Sequence, residues 1–136
     1  MEEGLRSTLQ AVYVKAHRMS IDASWLPGRL VSFPPSLGDP RFAFVFDVDE
    51  SMGGEVFEEA NATLTGYAWQ GVVAAALEER HGTSEKRLFD CESSTFCARS
   101  SDLSLLQEVA QIVRASLADK DLLRKYINGA DKGLLS

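Results

Sequence analysis

Arg41-Phe42-Ala43-Phe44-Val45-Phe46-Asp47-Val48-Asp49 alternates bulky apolar side chains with smaller or acidic ones at a period of two, the spacing of a pleated strand. Phe42, Phe44, Phe46 and Val48 fall on one face, and three phenyl rings in a row need a cover that keeps them from water. The other face begins apolar, with Ala43 and Val45, and ends in the carboxylates of Asp47 and Asp49. The strand is therefore expected to leave the core near Asp47.

Toward the C-terminus the sequence supplies that cover. After a flexible corner at Ser51 to Gly54, the residues Val56, Phe57, Ala60 and Leu64 recur at helical spacing, with Glu55, Glu58 and Glu59 on the opposite, wet face. A second helix is expected from about Ala68 to His81, with Trp69, Val73, Ala76 and Arg80 on one side, Gly71 as a weak point and Gly82 as a left-handed stop. Lys86 to Asp90 and Thr95 to Arg99 read as the two strands of a hairpin around Glu92-Ser93-Ser94. The longest helix carries Leu103, Leu106, Ala110, Val113 and Leu117 toward the sheet, with Ser101 as its cap and Asp102 in its first turn. Asp119 caps a last helix with Leu122, Leu123, Tyr126 and Ile127 inward, Asn128-Gly129 ends it, and residues 130–136 are expected to fray.

Toward the N-terminus, Ser36 to Pro40 reads as a turn, while Leu9 to Lys15, Met19 to Trp25 and Leu30 to Phe33 are strand-like in composition. Strands grouped before and between runs of helix, without strict alternation, indicate an α+β fold: a small, mostly antiparallel sheet packed against several helices, in a single domain spanning residues 1–136.

Composition narrows the function. With 136 residues, 45% of them hydrophobic, the chain can bury a core without disulfide or metal staples. A net charge of −6 disfavours nucleic acid, whose counterion release requires a lysine and arginine surface, and favours a basic partner. The acidity is concentrated: from Phe42 to Glu79 there are eight carboxylates and no lysine or arginine. The most apolar run, Leu64 to Leu77, is interrupted by Thr65, Gly66, Gln70 and Gly71 and is too short for a bilayer, so no membrane contact is expected. The acidic start, Met1-Glu2-Glu3, does not resemble a signal peptide, which gives an expectation of cytoplasmic residence with Cys91 and Cys97 as thiols.

Asp47-Val48-Asp49-Glu50-Ser51 at a strand end resembles the first motif of the haloacid dehalogenase phosphatases, which implies a nucleophilic Asp47, an acid/base Asp49 and magnesium. The downstream lysine and second acidic pair of that family have no match after predicted strands, so the bare reading is a strand ending in solvated carboxylates. Cys91 and Cys97 have five residues between them, which is not a zinc-ligand spacing, and Asp90 and Glu92 beside Cys91 oppose thiolate formation. Gly53-Gly54 lacks the lysine and hydroxyl residue of a phosphate loop. No catalytic residue, metal or cofactor is expected.

Gly66-Tyr67-Ala68-Trp69, an aromatic pair at a helix entry, and the hairpin from Phe89 through Asp90, Glu92, Phe96 and Cys97 to Ser100 together resemble the immunity protein 51 family of bacterial polymorphic-toxin systems. The resemblance covers about residues 42–128. Leu64-Thr65 stands where the family often has Gly-Asn, and Cys91 and Ser93-Ser94 stand where it often has Pro and Ala-Gly, so the turn contacts differ. The resemblance implies an antitoxin that binds a cognate toxin and blocks it by occlusion, the alternatives being the phosphatase or a non-catalytic adaptor. Candidate toxin-contacting residues are Asp49, Glu50, Glu55, Glu58, Glu59, Tyr67, Trp69, Asp90 and Glu92.

Overall fold

A computed structural model describes residues 23–83 and 88–136. Its centre is an antiparallel three-stranded sheet in the order β1 (Arg29–Ser32), β2 (Phe42–Asp47), β3 (Thr95–Ser100). The fold is α+β, as expected. β2 lies in the middle, with Phe44 opposite Leu30 on one side and Ala98 on the other. That register puts Phe44, Phe46 and Phe96 on one face, where Phe46 and Phe96 stack with centroids 4.9 Å apart. The alternation in β2 thus becomes a layer of aromatic rings.

Among the described residues there are four α-helices: α1 (Gly54–Glu59), α2 (Gly66–His81), α3 (Leu103–Ala118) and α4 (Lys120–Gly129). Helices α2 and α3 lie on the aromatic face, while α4 packs against α2, α3 and α1. Buried on several sides, α2 shields Trp69, Val72, Val73, Ala76 and Leu77 from water. It has little polar face, and its hydrophobic pattern is correspondingly weak as an amphipathic signal.

Several local expectations need correction. α1 ends at Glu59 instead of continuing to Leu64, because Asn61 adopts a left-handed φ of 60° and the amides of Asn61 and Ala62 turn back to the carbonyls of Glu58 and Phe57. That is a Schellman stop with asparagine in place of glycine. α2 begins two residues earlier than expected, because Thr65 caps it by accepting a hydrogen bond from the Ala68 amide. Asp102, rather than Ser101, caps α3; the Ser101 hydroxyl instead accepts the Arg41 amide and donates to Asp39. Within Met19 to Trp25, the described part Ala23–Trp25 is a 3-10 turn packed on α3, and Leu9 to Lys15 lies outside the described residues.

The C-terminal residues are docked. Ala130 and Leu135 are buried, Lys132–Leu134 form a 3-10 turn, and the Thr63 amide donates to the Leu135 carbonyl at 2.8 Å. Gly71 belongs to this contact: a Cβ there would lie 3.0 Å from that of Ala130, so the glycine permits close approach at a position that propensity alone marks as weak.

Candidate functional site

The motif residues converge where α2 begins. The turn Ser93-Ser94 sits on that end of the helix, the Ser93 carbonyl accepting the Gly66 amide at 3.1 Å and the Ser94 carbonyl accepting the Val48 amide at 2.9 Å. One turn therefore ties the exit of β2 to the entry of α2. Gly66 is wedged beneath it: a Cβ would come within 2.1 Å of the Thr95 carbonyl oxygen and 2.2 Å of that of Glu92.

From this junction Tyr67 and Trp69 go opposite ways. Trp69 is wholly buried, its indole N–H donating to the Met52 carbonyl at 3.0 Å and its ring edge-on to Phe46. It presents no surface to a partner, which corrects its place among the candidate contacts: the ring is a core anchor with its one polar atom satisfied. Tyr67 is 42% exposed beside the turn.

The first arm of the hairpin is less regular than expected. Residues 86 and 87 lie outside the described residues, and from Phe89 onward the arm meets β3 at two isolated bridges, Phe89 with Ala98 and Glu92 with Thr95. Between them the Cys91 thiol takes part in the pairing: its sulfur accepts the Cys97 amide and donates to the Cys97 carbonyl, both at 3.4 Å. Burial pushes both thiols up, Cys91 to about 11 and Cys97 to about 12, and the Asp90 carboxylate adds to the effect. At neutral pH these are protonated packing groups rather than nucleophiles. Asp90 lies 3.7 Å from Arg99, and the Glu92 side chain is exposed.

The acidic segment is only partly available. Glu55 is paired with Lys120 at 2.7 Å, and Glu59 holds Arg124 through two bonds of 2.6 and 3.2 Å. These partners hold both carboxyl groups below their ordinary range. Glu55 and Glu59 therefore clasp α1 to α4, while all three glutamates, Glu58 included, are exposed as their spacing predicts. Glu79 is held by Lys125 and accepts the Tyr126 hydroxyl at 2.9 Å. Asp49 binds the hydroxyl and amide of Ser51, which lower its carboxyl, and so closes the turn after β2. Asp47, Glu50 and Glu58 are exposed and form no ion pair among the described residues. The basic partners come from residues 120–125, far from the acidic run in sequence.

Asp47 and Asp49 stand at the end of the central strand of an antiparallel sheet. The phosphatase motif works from the carboxyl edge of a parallel sheet, so the geometry gives it no frame. Among the described residues, no helix is long and apolar enough to cross a membrane.

The motif residues thus build a helix–hairpin junction within a small α+β fold. A model of the family described as Immunity protein 51 matches residues 44–132, more than half of the chain, and the protein belongs to that family. It is thus an immunity protein, a class whose partner is a cognate toxin. No curated protein and no solved structure matches the chain.

Proposed function

We propose that this protein neutralises one cognate toxin domain by binding it and occluding its working surface, without chemistry of its own. The family match over residues 44–132 carries the reading. Two structural observations support it: the thiols are held protonated, and an exposed Tyr67 stands beside the hairpin turn that carries the exposed Glu92. Tyrosine offers a large contact area at little cost in side-chain entropy, and the exposed carboxylates of Asp47, Glu50, Glu58 and Glu92 favour a toxin with a basic face. Such charge raises the association rate and disfavours nucleic acid as a ligand. Cytoplasmic residence suits an antitoxin that guards the cell producing it.

Co-expression with the toxin domain encoded in the adjoining reading frame tests the reading. Growth is expected to be restored, and the two chains to elute together. Continued killing, with separate elution, refutes the assignment. Purified protein with magnesium is expected to show no turnover of phosphate esters, and turnover lost in Asp47→Asn revives the phosphatase alternative.

A further inference from the structure

The central sheet has a second face. Among the described residues, the helices in close contact with the sheet, α2 and α3, lie on the aromatic side. Partners directly opposite in a ladder share a face, and along each strand that face returns at every second residue. The register therefore sets Arg29, Val45 and Cys97 in one row of the second face, and Val31, Ala43 and Arg99 in the next. Phe33 follows Val31 by two residues, and its ring lies 5.1 Å from the Arg99 guanidinium. These two side chains come from opposite edges of the sheet and meet across β2, where Ala43 is 2% exposed. Val31, Val45 and Cys97 around them are half-buried.

Charge divides this face along the strands. Arg29 forms no side-chain hydrogen bond or ion pair among the described residues, and Arg99 reaches one carboxylate, that of Asp90, at 3.7 Å, longer than a direct hydrogen bond. The Nε of each is covered, so the exposure left to both arginines lies on the stem and the terminal nitrogens, and those are the atoms a partner can meet. Arg41 stands at the margin, its Nε donating to the Phe33 carbonyl at 3.4 Å. The other end is acidic: Asp47 is opposite Thr95, Thr95 is opposite Glu92, and both carboxylates are exposed. Arginines toward one end, carboxylates at the other and valines between them match a partner of both signs. A nucleic acid or an anionic membrane, negative throughout, is repelled at the Asp47 and Glu92 end. A second copy of the chain brings another net charge of −6 to the contact. A protein surface of mixed charge around an apolar centre suits the whole face.

We infer that the face of the sheet opposite the phenyl layer is where the toxin docks, toxin carboxylates meeting Arg29 and Arg99 and a basic toxin residue meeting Asp47 and Glu92. The inference rests on the toxin-binding reading above for its partner and names the surface that the reading leaves unplaced. A guanidinium takes both oxygens of a carboxylate in parallel hydrogen bonds, which sets orientation as well as sign. Covering Phe33, Val31 and Val45 beneath that contact excludes water and strengthens the bonds above them.

The test uses the whole chain and the toxin domain encoded in the adjoining reading frame. Interferometry at low and high salt compares the parent with Arg29→Glu, Arg29→Gln and Arg99→Gln, and with Lys132→Glu, a control on the 3-10 turn packed against α2. Arg29→Glu is expected to weaken binding by about tenfold or more, with the larger effect at low salt, and to keep the urea midpoint of the parent because it forfeits no internal partner. Arg29→Gln and Arg99→Gln, which remove charge without reversing it, should follow in the same direction, and Lys132→Glu should leave affinity unchanged. Affinity unchanged in all three arginine variants, or lowered equally by Lys132→Glu, overturns the docking face while leaving the antitoxin reading standing. A parent that neither binds nor neutralises the toxin refutes that reading, and the face loses its partner with it. Light scattering of the parent alone should give a monomer, and a labelled single-stranded oligonucleotide at low salt should not bind. A dimer dissociated by Arg29→Glu, or oligonucleotide binding abolished by it, would hand the face to a second copy or to nucleic acid and overturn the inference.

Discussion

Replacing Gly66 with alanine sets two effects of opposite sign against each other. Gly66 opens α2 without a left-handed φ, so alanine should favour the helix and narrow the unfolded ensemble, a gain of up to about 1 kcal/mol. Against that, the new methyl group would sit 2.1 Å from the Thr95 oxygen and 2.2 Å from the Glu92 oxygen, about 1 Å inside any contact a Cβ tolerates. Both obstacles are main-chain atoms, so no side chain can swing aside. The turn itself must lift. Overpacking of this kind costs about 1–3 kcal/mol. Lifting the turn also releases the Gly66–Ser93 and Val48–Ser94 hydrogen bonds, at about 0.5–1.5 kcal/mol each. The net expectation is a loss of about 2–4 kcal/mol, a large fraction of the stability of a domain this size. Urea unfolding followed by tryptophan fluorescence measures it, and the midpoint is expected to fall by about 1–2 M, given slopes of about 1–3 kcal/mol per M. A midpoint equal to or above that of the parent would refute the close approach of turn and helix.

Three other outcomes test separate parts of the structure. Trp69→Ala should cost about 3–5 kcal/mol by emptying the core between Phe46 and Phe57, and Trp69→Phe about 1–3 kcal/mol by stranding the Met52 carbonyl; an unchanged melting temperature in both would place the ring outside the core. The half-buried thiols should react slowly with a disulfide reagent at pH 8 until urea is added. Because their folded pKa values are raised to about 11 and 12 from 9.0, the unfolded chain releases its thiol protons first, so their contribution to stability is full below pH 9 and lost as pH climbs toward 12. Native thiols that react as fast as a free cysteine would contradict their burial. Glu59→Gln should lower the urea midpoint at low salt and much less in molar sodium chloride, since its pair with Arg124 is exposed and screened; a loss equal at both salts would assign the effect to packing.

What the sequence made legible was set by how local each cause is. The alternation in Phe42 to Val48 determined which face of β2 is buried, because side-chain period and pleat are the same geometry. The Asp119 cap and the Gly82 stop were legible for the same reason. Errors arose where distant contacts override local preference. Gly71 looks weak until Ala130 is brought against it, and the tail looks free until Leu135 meets Thr63. The acidic strip followed the same rule: counting charge from Phe42 to Glu79 could not show that Lys120 and Arg124 would cross to Glu55 and Glu59.

An ordinary β ladder is indifferent to sequence, because every residue brings the same amide and carbonyl. The rung at Cys91 is different: a side chain answers the Cys97 amide where a main-chain carbonyl would normally do so. Hairpin alignment at this point is therefore written in a residue identity. Alanine here would leave the amide unanswered while changing no backbone atom, and an alkylated sulfur would lose its donor and crowd the strand beside it. Threonine or serine, each with a hydroxyl that both gives and takes, are the natural equivalents, with a shorter reach as the difference. Anyone transplanting this hairpin into another scaffold must carry the sulfur with it, or supply another atom to meet that amide.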